Sequence, residues 1–432
     1  DAEDGVDWSP DGTRIAFSAK RGEDVSQVYV MDMTLPGEAQ KITSLATGAS
    51  GPKWSPDGTR IAFESRVYPG KLTDEENAAE KKAREERDYN ASSYEIFPIR
   101  QWNRWRDDLQ THLFVQAAEP GATAKDLLAG TGLVSLPGYS GSRTLSGDTL
   151  NATWTPDGEA IVFNATTNLD DAAHARVNFH LHAVGADGGE PVALTEGAAW
   201  SCTGPQFSPD GKHVYCGFSP ANQNVYNHDE IARFRWRDGK ALGEARLLTA
   251  DFDRSVSGFD ISGDGRTVYL TAADAGRSRI YAVPSGGGEA RALDPDSRGV
   301  YAGVQAAGDR LIARWESSAV PAEIVRLDAA GGHQAVRLDL GDLRGLAVEH
   351  LEPQGFGALD SAHAPATPTA PVHDAVVRHL HEIVCEQIDQ IAGLIDVRPL
   401  VVRHAVRVEL KWHDGDEWAQ RLHRRRDFPA VG

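Results

Sequence analysis

The chain has 432 residues, 41% hydrophobic and 25% charged, with 43 glycines and a formal net charge of −19. That length supports a large buried core. The acidic excess argues against nucleic acid and anionic membrane surfaces as partners, and no apolar run approaches the roughly 18–20 residues a spanning helix needs.

The sequence opens at Asp1, without Met and directly before a repeat motif. The natural N-terminus is therefore expected to lie upstream, and the compartment, periplasmic or cytoplasmic, stays open. Trp8 to Phe17 reads WSPDGTRIAF, and Trp54 to Phe63 reads the same. Looser copies run from Trp154 to Phe163, Phe207 to Cys216 and Ile261 to Leu270, with a worn copy from Ala306 to Arg314. A period of about 40–50 residues suits a four-stranded propeller blade.

Each copy supplies the parts of a strand, a turn and a strand. An apolar residue (Trp8, Trp54, Trp154, Phe207 or Ile261) ends the first strand. Proline presets φ, Asp bonds its own backbone and Gly takes the conformation other residues avoid. Alternation then resumes, Arg14 and Ala16 against Ile15 and Phe17, a period of two that marks a strand with unlike faces. The turn carboxylates Asp11, Asp57, Asp157, Asp210 and Asp264 are read as turn formers. The expected fold is an all-β propeller of about six recognisable four-stranded blades over residues 1–345.

Residues 69–111 interrupt the repeats. Thr73-Asp-Glu-Glu76 is a capping box opening a charged run to Asp88, which predicts a solvated helix. The stretch from Tyr94 to Asp108 is different, packing two Trp and three Arg into fifteen residues. Repeats resume with His112, a weaker unit is read over about 113–165, and three units follow to about residue 330.

Cys202 and Cys216 flank the turn at Pro209–Gly211. They are read either as a cross-strand disulfide or, preferred here, as two buried thiols. His180 and His182 share a strand face, but no third ligand accompanies them, so no metal site is assigned. Gly138-Tyr-Ser-Gly-Ser142 lacks the final glycine of a nucleophile elbow and is read as a polar loop. His381-Glu-Ile-Val-Cys385 has cysteine where a zincin helix needs its second histidine, and is discounted.

Beyond about residue 345 the character changes. Eight of the fifteen histidines lie from His350 onward, and His363 to Pro371 reads as linker. Residues 346–432 are read either as a helical appendage or as out-of-frame translation, the latter preferred.

The SPDG repeats occur in TolB-like propellers too. The more specific signal is Glu64-Ser-Arg-Val-Tyr-Pro69, a charged helix, Phe97-Pro-Ile-Arg-Gln-Trp-Asn-Arg-Trp105 and then Thr111-His-Leu-Phe-Val115. In that order these resemble one blade of the prolyl oligopeptidase family of serine peptidases, in its dipeptidyl-peptidase and acylaminoacyl-peptidase branch. The resemblance covers roughly residues 1–345. It implies a seven-bladed propeller joined to an α/β-hydrolase domain; relative to that layout the chain lacks the first blade and the hydrolase domain.

It also implies a propeller that filters short peptides, with Arg100, Trp102, Trp105, Arg106 and Asp107 facing the substrate. No cofactor is expected. With no Ser-His-Asp triad to assemble, the chain is expected to be inactive alone. The other readings are a non-enzymatic propeller that binds a protein partner or forms a homo-oligomer, and, least favoured, a propeller lyase.

Overall fold

In the computed structural model, the described residues run from 3 to 335, apart from 23–24, 90, 92, 95–97, 145–146, 198, 222–226, 308–309 and 328–332. The expectations for residues 346–432, and for Glu95 to Phe97 within the insertion, lie outside them.

Six antiparallel four-stranded sheets follow one another. Blade one is Glu3–Trp8, Arg14–Ala19, Gln27–Asp32 and Gln40–Lys41. Blade two is Ser50–Trp54, Arg60–Val67, Gln110–Ala117 and Lys125–Asp126. Blade three is Thr153–Trp154, Ala160–Ala165, His180–Gly185 and Val192–Ala193. Blade four is Trp200–Phe207, His213–Pro220, Glu230–Arg237 and Lys240–Leu247. Blades five and six begin at Val256 and Val300 and continue to Ala292 and Ala335.

One boundary differs from the sequence reading. The strand Gln110–Ala117 pairs with Arg60–Val67, Arg60 opposite Ala117 and Val67 opposite Gln110. It therefore closes blade two rather than opening a unit over 113–165. The insertion is a loop within one hairpin, a non-local pairing that a local period cannot reveal.

The turns explain why the repeat folds as it does. Ser9 donates to Asp11 at 2.6 Å, Thr13 N–H donates to the same carboxylate at 3.0 Å, and Ser9 Oγ accepts from Arg14 N–H at 2.9 Å. Gly12 sits at φ 70°, where a β-carbon is disfavoured. The same network recurs at Ser55–Asp57, Thr155–Asp157, Ser208–Asp210 and Ser262–Asp264. Hydrogen bonds led by the serine hydroxyl hold Asp11 and Asp57 at about 2. These carboxylates stay charged and serve the turn.

A second repeated device escaped the sequence reading. Three residues before each turn-flanking apolar residue stands Gly5, Gly51, Asn151, Gly204, Gly258 or Gly303. All but Gly258 have φ between 49° and 63°, and the register slips there in blades one, two, four and six. Such bulges sharpen the strand twist.

The core lies between blades. Ala16, Val28 and Val30 of blade one pack with Trp54, Ile61 and Phe63 of blade two, and Ile280 of blade five packs with Tyr301 and Leu311 of blade six. Both faces of a middle strand are thus buried, the small residue on one and the large one on the other. Cys202 and Cys216 form a disulfide across adjacent strands, with Cα atoms 5.6 Å apart, which corrects the preference for two thiols. The bulge between Thr203 and Gln206 shifts the register that simple alternation would give. Among the described residues no helix is long and apolar enough to cross a membrane.

Candidate functional site

The insertion begins with the helix Asp74–Glu85. Thr73 Oγ1 accepts from Glu76 N–H at 3.2 Å, and Glu76 reaches back to Leu72 N–H at 2.7 Å. The box forms, but the helix is not simply solvated. Asp74 accepts from Ala46 N–H, in the connection between blades one and two, at 2.9 Å, and buried Asn77 accepts from Tyr68 N–H at 2.8 Å. Arg84 lies over the Tyr68 ring at 4.4 Å and forks onto Asp108 at 2.7 and 2.8 Å.

A tight hairpin follows, Arg100–Gln101 against Arg104–Trp105. Trp102 occupies its turn at φ 49°. The structure separates the five predicted site residues into two groups. Arg100, Trp102 and Trp105 face solvent, the two indoles 77% and 69% exposed. Tyr94 tilts against Trp105, ring centroids 6.2 Å apart. Arg106 and Asp107 are engaged instead. Arg106 pairs with Asp148 at 2.9 Å, and Asp107 with Arg66 of blade two at 2.5 Å.

Asp148 also accepts from Ser140 Oγ at 2.6 Å. This defines the Gly138–Ser142 string. Tyr139 and Ser140 are buried, and the Tyr139 hydroxyl donates to the Thr111 carbonyl at 2.7 Å. A Cβ on Gly141 would lie 2.5 Å from the Thr149 carbonyl oxygen, so glycine is required. The segment is a buried anchor rather than a polar loop.

The next two residues reach a second feature. Thr149 Oγ1 and Leu150 N–H both donate to Glu64 Oε1, at 3.0 and 2.9 Å. Glu64 lines a cavity of about 620 Å³ with Asp7, Lys53, Thr149, Asn151 and Gln206. The first strands of blades one to four converge there, which marks them as the innermost. Burial is the main cause that pushes the Glu64 carboxyl up to about 7, against the hydrogen bonds that favour its anion. Ser18 and Asn164 occupy the corresponding places in blades one and three, and each accepts from the next blade's first strand, at Gly51 and Gly204. Glu64 does the same work with an ionisable group.

The remaining candidates are structural. His182 stacks on Phe163 and His180 meets Trp200 edge-on. Burial lowers both imidazoles below their ordinary range. Among the described residues no cluster of three metal-ligating side chains occurs. His112 pairs with Asp126 at 2.7 Å, but its Nε2 is buried without a hydrogen-bond partner, so no hydroxyl is poised on it as a nucleophile.

Sequential four-stranded blades, with a helical and aromatic insertion in the second, define a β-propeller like that of the prolyl oligopeptidase family. The chain is homologous to dipeptidyl-peptidase 5 of Porphyromonas gingivalis, 24% identical over 234 residues, 54% of this chain and 32% of that protein. It also matches the uncharacterized peptidase YuxL of Bacillus subtilis, 27% identical over 167 residues, 38% of this chain and 22% of that one. Among solved structures it superposes on the acylaminoacyl peptidase of Pyrococcus horikoshii with a TM-score of 0.52 and 20% identity, covering 79% of this chain and 46% of that one. The matches thus span about a third or less of the curated relatives. No family model matches the chain.

Proposed function

We propose that this propeller is the substrate-gating part of a serine exopeptidase that releases dipeptides or aminoacyl groups. The nucleophile would come from a catalytic domain that the described residues do not include, and the chain alone would be inactive. The observation that carries this reading is the hairpin with Trp102 and Trp105 exposed and held at its base by the ion pairs of Arg106 and Asp107. Two large indoles held in water are costly unless they meet a ligand, since exposed aromatic patches mark interaction sites. Arg106 and Asp107 position the hairpin; Arg100, Trp102 and Trp105 contact the peptide.

The test is calorimetric titration of the full chain with a panel of tetrapeptides with free N-termini. Replacing Trp102 and Trp105 together by Ala should weaken binding by about tenfold, or about 1.4 kcal/mol. An unchanged affinity would overturn the reading. Turnover of dipeptidyl or aminoacyl reporters by the purified chain would refute its inactivity.

A further inference from the structure

The chain covers several of its aromatic rings with its own arginines. Arg14 of blade one lies over the Trp54 ring of blade two at 4.5 Å, and Arg60 of blade two over Trp154 of blade three at 5.1 Å. Between blades four and five Arg254 lies over Phe252 at 5.7 Å. There the arrangement includes a second ring and an acid: Phe252 meets Tyr281 edge-on, ring centroids 4.9 Å apart, and Arg254 pairs with Asp274 at 3.1 Å.

The junction of blades three and four has the rings and the acids without the cation. Trp200 of blade four stacks on Phe218 with centroids 5.4 Å apart and tilts against Phe234 at 6.2 Å. With Leu194, which follows the last strand of blade three, these rings line a cavity of about 360 Å³, a size suited to a small ligand. Glu196 and Glu244 also line it, and both are exposed. Among the described residues no arginine or lysine lies over any of the three rings.

The outer strand of blade four makes the room. Arg233 stands opposite Arg246 and Arg235 opposite Leu242, so Gly243, Glu244 and Ala245 face Phe234 alone. Gly243 takes φ 77°. A bulge of this kind bends the strand, and Glu244 sits within it. The cations of the same two strands turn to the other side: Arg233 donates to the Ser285 carbonyl and Arg246 lies against Gly287, both in blade five. Burial lowers the neighbouring His180 imidazole below its ordinary range, so it adds no opposing charge at neutral pH.

We propose that this cavity binds a quaternary ammonium group. Aromatic rings attract a cation, and the two carboxylates supply the complementary charge. The remaining wall is aliphatic, which suits a head group that carries methyls and no hydrogen-bond donors. The head group would come from a free solute such as choline or from a trimethylated lysine in a polypeptide.

The test is a saturation-transfer NMR titration of the full chain with choline and with its neutral isostere, 3,3-dimethylbutan-1-ol. Choline should bind about tenfold more tightly, the range of a partly desolvated cation over aromatic rings. Glu196→Gln with Glu244→Gln, at two exposed positions, should remove most of that difference. Trp200→Leu should remove it as well while leaving the net charge of the chain unchanged.

A peptide carrying trimethyllysine separates the two sources. Tighter binding than choline supports the site with a polypeptide ligand, and equal binding supports it with a free solute. Choline that binds no better than the neutral isostere would overturn the proposal. So would choline binding that survives Trp200→Leu or the double Gln variant, since it would then reflect only the attraction of a cation to an acidic chain.

Discussion

Arg106 Nη2 lies 2.9 Å from Asp148 Oδ2, and the same oxygen accepts the Ser140 hydroxyl. Through these two bonds an aromatic hairpin 42 residues upstream is fixed to the loop that also carries the partners of Glu64. Asp148→Ala leaves the Arg106 guanidinium, 18% exposed, without its anion. Breaking a buried pair from one side costs up to several kcal/mol, so a loss of about 2 kcal/mol is expected by urea denaturation. Limited trypsin digestion should show faster cleavage at Arg100 and Arg104. Unchanged cleavage would mean the hairpin is held by other contacts.

Glu64 makes stability pH-dependent in an unusual direction. Its folded value of about 7 lies above the ordinary 4.5. Between those values the folded state holds a proton that the unfolded state has released, so stability falls as pH rises, and levels off above about 7. One unit is worth about 1.4 kcal/mol, so this group removes roughly 3 kcal/mol across the window. Glu64→Gln should flatten that part of the profile and be relatively more stable at pH 8 than at pH 5. A parallel profile for both proteins would rule the assignment out.

The disulfide closes a loop with a sequence separation of 14. Constraining an unfolded loop of that size contributes about 3 kcal/mol. Reduction, or Cys202→Ala with Cys216→Ala, should lower the unfolding midpoint accordingly. A thermal melt indifferent to reductant would show that the thiols are not joined.

Equivalent tryptophans should respond unequally. Trp54→Ala empties a buried position under Arg14 and should cost about 3–5 kcal/mol. Trp8→Ala, at the exposed counterpart, should change the stability of this chain by less than about 0.5 kcal/mol. Chemical denaturation of the two variants side by side settles the comparison; similar losses would mean that Trp8 is covered.

The sequence carries the blades because their turns are local. Ser-Pro-Asp-Gly closes a network within six residues, and five of the six copies can be read by eye. What pairs across distance was not readable. Nothing local shows that Gln110–Ala117 returns to Arg60–Val67 across the whole insertion. The bulge at Thr203–Gln206 decides whether Cys202 reaches Cys216, and it rests on Gly204, one glycine among 43. Of the candidate site, the unusual composition of residues 94–108 was visible. Its division into solvent-facing Trp102 and Trp105 and ion-paired Arg106 and Asp107 was not, because the partners Asp148 and Arg66 lie on other strands. Glu64 appeared only as part of a motif; its raised pKa comes from burial, which no spacing encodes.

Each sheet is assembled from one continuous stretch of chain, and none of the six borrows a strand from another. Pulled from its two ends, the part formed by the described residues offers no single clasp whose failure releases everything. It should yield as a staircase, one blade giving way while its neighbours hold. The spacing of 46 residues between the first two repeats corresponds to a step of roughly 150 Å. The second blade should pay out the longest step, since its hairpin stores the insertion, and the fourth the shortest, because Cys202 and Cys216 lock part of it against extension.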